Sequence, residues 1–317
     1  VRVLIVGHWF APRALPALEA VARGIQRVRD AACEPIVFGP GPFVTSDRLI
    51  VRVPDSATST RDVGRELRRL LDQGDTPVLE GGHTSCTDGG SEFLSAITSL
   101  PVDTYEQMEQ ALHRAQSDRR LREVVALAST RRSLLGFTSV LSTRADGTAR
   151  HDQNLGLSSR LTRLFATHRD TTDVSRLEGS GAAGGAAGML ALCGGSIVPT
   201  GEALARTLNL DQRMEQADLV VILEPCAHDP LLHDTLIDTL TDHAGRHALP
   251  VVLVCESTTL SALEKAQWGI HGIIDTHPGA LMPTCIAENE QDDYEVLEAA
   301  GMRLARTWIP GVENATI

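Results

Sequence analysis

Ala217-Asp218-Leu219-Val220-Val221-Ile222-Leu223-Glu224-Pro225 is the stretch on which the fold turns. Leu219–Leu223 is five apolar residues long, too short for a helix and apolar on both faces, so it reads as a buried parallel strand. Its carboxyl end delivers a carboxylate, Glu224, to a loop. Working outward, the same texture recurs at Val1–Gly7, Pro35–Phe38, Pro77–Leu79, Val124–Ala128, Val251–Cys255 and Gly272–Asp275. Helical stretches alternate with these runs. In Ala14–Asp30 the residues Leu15, Leu18, Ala22, Ile25 and Val28 share one face. Arg61–Leu71, Tyr105–Ser117, Leu231–His247, Leu260–Trp268 and Tyr294–Trp308 read similarly, and Thr104 with Gln107 forms a capping box. The order βαβ, a middle section, then βαβαβα predicts an α/β protein with a doubly wound parallel sheet. The middle section differs: Arg119–Arg176 is arginine-rich and polar, with a turn at Arg144–Gly147 and a loop at His151–Asn154. A glycine-rich run, Gly179–Gly195, closes it. A second domain spliced into the first is the simplest organisation.

The chain has 317 residues, which at about 150 residues per domain also indicates two domains. A net charge of -12 and 3% aromatic residues argue against nucleic acid and anionic membranes as partners. Of 29 basic residues one is lysine, Lys265, which excludes a lysine-dependent Walker A loop. The six cysteines are dispersed, with no C-x-x-C pair, and fit free thiols in a reducing compartment. The uncharged run Gly179–Gly201 is too glycine-rich for a membrane span. Val1–Gly7 reads as a strand and not a signal peptide, and the expected location is cytoplasmic.

Three stretches invite chemistry. Glu80-Gly81-Gly82-His83-Thr84-Ser85-Cys86-Thr87-Asp88-Gly89-Gly90-Ser91 lies between a strand and an apolar helix. There Gly81, Gly82, Gly89 and Gly90 let backbone N–H groups crowd round an anion, and Thr84 and Ser85 add hydroxyls. Asp88 could hold Mg²⁺ or accept a proton; a surface turn with Asp88 as helix cap is the other reading. In Glu178–Met189, Gly179, Gly181, Gly184 and Gly185 strip a helix start of side chains. A nucleotide phosphate or ribose, or a closely packed neighbouring helix, would each explain this. The two glycine loops are expected to converge on one anionic ligand. Glu224 is the third candidate, since open α/β sheets bind ligands outside the carboxyl ends of their strands. His228, His233, His243 and His247 show no complete metal-ligand spacing, although His243 and His247 are four residues apart.

At these glycine stretches the sequence resembles the bacterial glycerate kinase family, ATP-dependent enzymes unrelated to P-loop kinases. Asp173-Val174 through Glu224 is similar to the family run D-V-A-x-x-P-G-A-G-A-A-G-G-L-G and the segment that follows it. The matching positions are Gly179-Ser180-Gly181-Ala182-Ala183-Gly184-Gly185, Gly201-Glu202, Leu208, Leu210, Arg213 and Ala217-Asp218-Leu219-Val220. Gly81–Gly90 resembles G-G-S-A-T-N-D-G-G, with about one residue inserted. The resemblance implies a flavodoxin-like domain of residues 1–72 and 203–317, with a second α/β domain, residues 73–202, inserted. It also implies ATP and Mg²⁺ as cofactors and a small hydroxy acid as substrate.

The departures fall on the chemistry. The family opening A-P-D-S-F-K-G-S is here Val6-Gly7-His8-Trp9-Phe10-Ala11-Pro12-Arg13. M-A-D-G-G-E-G-T becomes Phe38-Gly39-Pro40-Gly41-Pro42-Phe43-Val44-Thr45, and C-D-V-D-N-P-L becomes Ala128-Ser129-Thr130-Arg131-Arg132-Ser133-Leu134. Asp88 and Glu224 remain by motif position. His8 and Arg13 are candidates to replace the lost acid and lysine, the other reading being solvated loop residues. Three functions stay open: phosphorylation of glycerate or a related hydroxy acid with weak or altered activity, a catalytically inactive binding or regulatory protein, and an unrelated chemistry in the same cleft.

Overall fold

The computed structural model describes residues 1–10, 14–152, 154–169, 172–277 and 290–311. Among these the strands are, in chain order, β1 (Arg2–Gly7), β2 (Ala32–Val37), β3 (Ile50–Arg52), β4 (Val78–Gly81), β5 (Val125–Ala128) and β6 (Ser196–Pro199). After them come β7 (Leu219–Leu223), β8 (Cys226–Ala227), β9 (Val251–Cys255), β10 (Ser257–Thr258) and β11 (Gly272–Asp275). The helices that matter below are α1 (Ala14–Gln26), α2 (Arg61–Gln73), α3 (Ser91–Thr98), α4 (Tyr105–Gln116), α5 (Leu155–Thr167) and α6 (Ala186–Leu192). The chain divides into two compact units, residues 1–43, 205–232 and 237–317 in the first, and 44–204 with 233–236 in the second.

The first unit is a five-stranded parallel sheet in the order β2-β1-β7-β9-β11. Counted along this unit's own chain, that order is 2-1-3-4-5, the flavodoxin-like arrangement. All five residues of β7 and of β9 are buried, which is why both read as unbroken apolar runs. Helix α1 packs Ala17, Leu18, Val21 and Ile25 into a core with Val3, Ile5, Val221 and Leu304.

The second unit is a four-stranded parallel sheet in the order β3-β4-β5-β6, with its core built from α2–α6. Helix α4 opens with the predicted capping box, Thr104 accepting from the Gln107 backbone and Gln107 reaching back. The division differs from the expected one: β3 and α2, placed by sequence in the outer domain, belong to this sheet, so the first boundary falls at 43 and not 72. β3, β6, β8 and β10 were not predicted; β8 and β10 pair in parallel as a separate two-stranded sheet. The expected helix Leu231–His247 is reduced to Ile237–Arg246, with a short turn of helix at Asp229–Leu232 before it. No helix among the described residues is long and apolar enough to cross a membrane.

Candidate active site

In a sheet of order 2-1-3-4-5 the crevice for a ligand lies where strand order reverses, between the first strand and the third. In the first unit that point is the gap beyond the carboxyl ends of β1 and β7. The residue following β1 is His8 and the residue following β7 is Glu224, both sequence candidates. The backbone holds His8 beside Glu224: the His8 N–H donates to the Leu223 carbonyl at 3.0 Å, while the Glu224 N–H donates to the Val254 carbonyl of β9 at 3.1 Å. Gly7 makes the approach possible. At φ +140° it lies so close to β7 that a Cβ would stand 2.2 Å from the Leu223 carbonyl oxygen.

The side chains then meet, His8 Nδ1 lying 3.5 Å from Glu224 Oε2. Glu224 is only 6% exposed, and this burial pushes its pKa up to about 8, opposed by the Cys226 N–H near Oε1. Burial pulls His8 down to about 4. Both shifts disfavour charge, so near neutrality the pair leans toward a protonated acid beside a neutral imidazole. Arg13 lies outside the described residues.

Further along the same edge, His228 Nδ1 stands 2.7 Å from Thr259 Oγ1, and burial lowers its pKa. His243 Nδ1 and His247 Nε2 both meet Asp211 Oδ1, at 2.7 and 3.4 Å. That carboxylate, distant in sequence, explains their spacing.

In the second unit the two glycine loops do come together, in direct contact. The Ala183 N–H donates to the Gly82 carbonyl at 3.0 Å, and a Cβ on Gly90 would stand 2.6 Å from the Gly185 carbonyl oxygen. Gly179, Gly181, Gly184 and Gly185 are all buried. A Cβ on Gly185 would stand 2.7 Å from Gly89 and one on Gly184 2.6 Å from the Cys86 Cβ, while Cβ atoms on Gly179 and Gly181 would close on Ala128 and Val140. The missing side chains therefore serve close packing, but against the 81–90 loop, β5 and Val140 and not against a neighbouring helix. Thr84 Oγ1 accepts from the Cys86 N–H at 3.1 Å, while Ser85 is exposed.

Asp88 sits between two helix starts. Its Oδ2 accepts from the Thr60 N–H at 2.7 Å, and its Oδ1 accepts from the Thr60 hydroxyl at 2.9 Å and the Gly90 N–H at 3.0 Å. Thr60 Oγ1 in turn accepts from the Phe93 N–H at 2.9 Å, which ties α2 to α3.

Beyond β4 and β5 lies a cluster that sequence reading missed. The His83 side chain is 5% exposed, neither ring nitrogen has a hydrogen-bond partner, and Nδ1 lies 4.0 Å from Asp234 Oδ2. Burial first, then Arg132 and Arg150, pull His83 down to about 4. Arg132 Nε lies 3.3 Å from Asp234 Oδ2, and the Thr130 hydroxyl donates to Asp234 Oδ1. Arg131 pairs with Glu178 at 2.8 Å. Both arginines that replace family carboxylates are thus matched to acids. Thr130, Arg131 and Arg132 are marked in the sequence by their departure from the family motif and His83 by its place in the glycine loop; Asp234, which arrives from 104 residues beyond Thr130, carries no signal.

Comparison with protein families matches the glycerate kinase family over residues 49–309, a range that takes in Asp88, both glycine loops and Glu224 but not His8 or Arg13. Among solved structures, a crystal structure of a Salmonella typhimurium LT2 protein described as glycerate kinase 2 is similar with a TM-score of 0.62. The two share 16% sequence identity over 97% of this chain and 98% of that one. A search of curated proteins gave no significant match. The α/β architecture expected from the alternating pattern is the one found, and with the family match spanning most of its length the chain belongs to the glycerate kinase family.

Proposed function

We propose that this chain binds a small hydroxy acid at the β1–β7 switch point of its first unit and phosphorylates glycerate only slowly. The observation that carries this reading is the His8–Glu224 pair. A hydroxy acid arrives as an anion, and an acid that keeps its proton beside a neutral imidazole does not repel it as two ionised carboxylates would. The His8 imidazole, kept neutral, can accept a hydrogen bond from a substrate hydroxyl. At about 4 it is too weak a base to take the proton readily, which suits slow turnover, while Glu224, pushed up to about 8, exchanges its own near neutrality.

Family membership implies ATP and Mg²⁺, and the residues present fit neither well. Mg²⁺ demands accessible hard oxygens in octahedral geometry. Asp88 already accepts three hydrogen bonds, and Glu224 is buried with its pKa pushed up to about 8. The glycines at 179, 181, 184 and 185 are buried, each with a Cβ position within 2.7 Å of Ala128, Val140, Cys86 or Gly89, and offer no open cradle for a phosphate. These same facts favour a second reading, a binding or regulatory protein that has lost catalysis.

An ADP-release assay with Mg²⁺-ATP over a panel of small hydroxy acids, paired with calorimetric binding of each acid, separates the two. Loss of even one or two preorganised charged groups slows turnover by about a hundred-fold or more. Glycerate turnover is therefore expected at least that far below an ordinary kinase rate of roughly 1–100 per second. Turnover within that range overturns the slow-kinase reading. Binding without any ADP release favours the second.

A further inference from the structure

We propose that Glu109, His113 and His168, in the second unit and away from the residues discussed above, form a binding site for a divalent transition metal of the zinc type. Glu109 and His113 are four residues apart on α4, so their side chains lie one turn apart on a single helix face. His168 is the residue that ends α5, and α5 packs against α4. The three candidate ligand atoms all lie within 4.8 Å of one another. Tetrahedral coordination at bonds of about 2.0–2.1 Å separates ligand atoms by about 3.3 Å. Glu109 Oε1 and His168 Nε2 already stand 3.6 Å apart, so small side-chain rotations close the site.

Two details show that the donors are poised. His168 Nε2 is inaccessible to solvent and has no hydrogen-bond partner, a costly arrangement that a bound cation would relieve. Glu109 Oε1 lies 3.1 Å from the Tyr105 hydroxyl, which is itself 3.1 Å from Thr167 Oγ1. The Arg163 guanidinium covers the Tyr105 ring at 3.7 Å. Tyr105 is thus a positioning residue for the carboxylate, of the kind that surrounds metal ligands. His113 is exposed and gives the ion its entry path.

The donor set selects the ion. Two imidazoles and one carboxylate favour zinc and its neighbours over Mg²⁺ or Ca²⁺, which prefer oxygen alone. Three protein ligands leave a fourth position for water. The site lies on the outer face of two helices, so its role is to clamp the end of α5 to α4. That clamp reaches the glycine loop, because Leu161 of α5 has its Cδ1 2.6 Å from where a Cβ of Gly89 would stand.

The test is titration of the tag-free full chain with Zn²⁺ alone, in the presence of millimolar Mg²⁺, followed by calorimetry and by competition with a chromophoric chelator. One saturable equivalent at micromolar Zn²⁺ is expected, with a raised Tm. Co²⁺ is expected to give the visible absorption of a four-coordinate site. His113→Ala, an exposed substitution that leaves the metal-free Tm unchanged, should weaken binding at least about ten-fold, and Tyr105→Phe by roughly ten-fold. Absence of a saturable Zn²⁺ equivalent overturns the proposal. So does unchanged affinity in His113→Ala, since the metal would then be held elsewhere, and so does competition by Mg²⁺.

Discussion

At the scale of the residue, the His8–Glu224 pair makes stability depend on pH in two opposed ways. Glu224 is raised from 4.5 to about 8 on folding, so the unfolded chain gives up a proton that the folded chain keeps. Its contribution is complete below pH 4.5 and is lost as pH rises toward 8, at up to about 1.4 kcal/mol per pH unit. His8 is depressed from 6.5 to about 4, so its contribution is complete above pH 6.5 and is lost as pH falls toward 4. Between pH 6.5 and 8 only the Glu224 effect operates. Glu224→Gln is expected to remove it: the Tm of the variant minus that of the wild type should rise steadily across this window in thermal melts. A difference that stays flat from pH 6.5 to 8 would show that Glu224 is ionised in the folded protein. The sequence named both residues but not their states. A strand end gives position, whereas the loss of water around two side chains is decided by everything packed over them.

At the scale of the element, Asp88 is a joint between helices. Replacing it with alanine leaves the Thr60 N–H, the Thr60 hydroxyl and the Gly90 N–H without their acceptor. Asp88→Ala should therefore destabilise the protein by about 1–3 kcal/mol in urea unfolding, and Asp88→Asn, which retains an acceptor, by less. Wild-type stability in Asp88→Ala would mean that these bonds contribute nothing. Any activity lost in that variant has to be read beside its stability, because a loosened α2–α3 joint also moves the glycine loop.

Which elements were legible follows from where they sit. The central strands β4, β5, β7 and β9 are covered on both faces and announce themselves as apolar runs. Of the four strands missed, β3 and β6 are the edges of the four-stranded sheet, and β8 and β10 are two residues each. Ile50–Arg52 has one buried residue and Ser196–Pro199 none, and the latter ends in a proline, tolerated at a sheet edge. Without the β3 signal, α2 was attached to the wrong sheet. The capping box at Thr104 and Gln107 was readable because all its atoms lie within four residues. The Asp234 cluster was not, because no local pattern links it to Thr130 and Arg132.

At the scale of the whole molecule, the chain passes from one unit to the other at residues 43, 204, 232 and 236. The second unit is therefore not a single uninterrupted insert. Four residues, His233–Leu236, return to it after the chain has already re-entered the first, and they carry the Asp234 carboxylate that Thr130 and Arg132 hold. The consequence is one of modularity. A cut-and-paste exchange of residues 44–204 between relatives takes away the donors and leaves their acceptor behind, so a faithful chimera needs two grafts that travel together. A single-graft chimera should show a lower Tm than the double graft, and equal melting of the two would mean that the returning tetrapeptide is a passenger. Recombination between relatives at the borders of 44–204 alone would face the same penalty, so these two stretches of sequence are bound to be inherited as one piece.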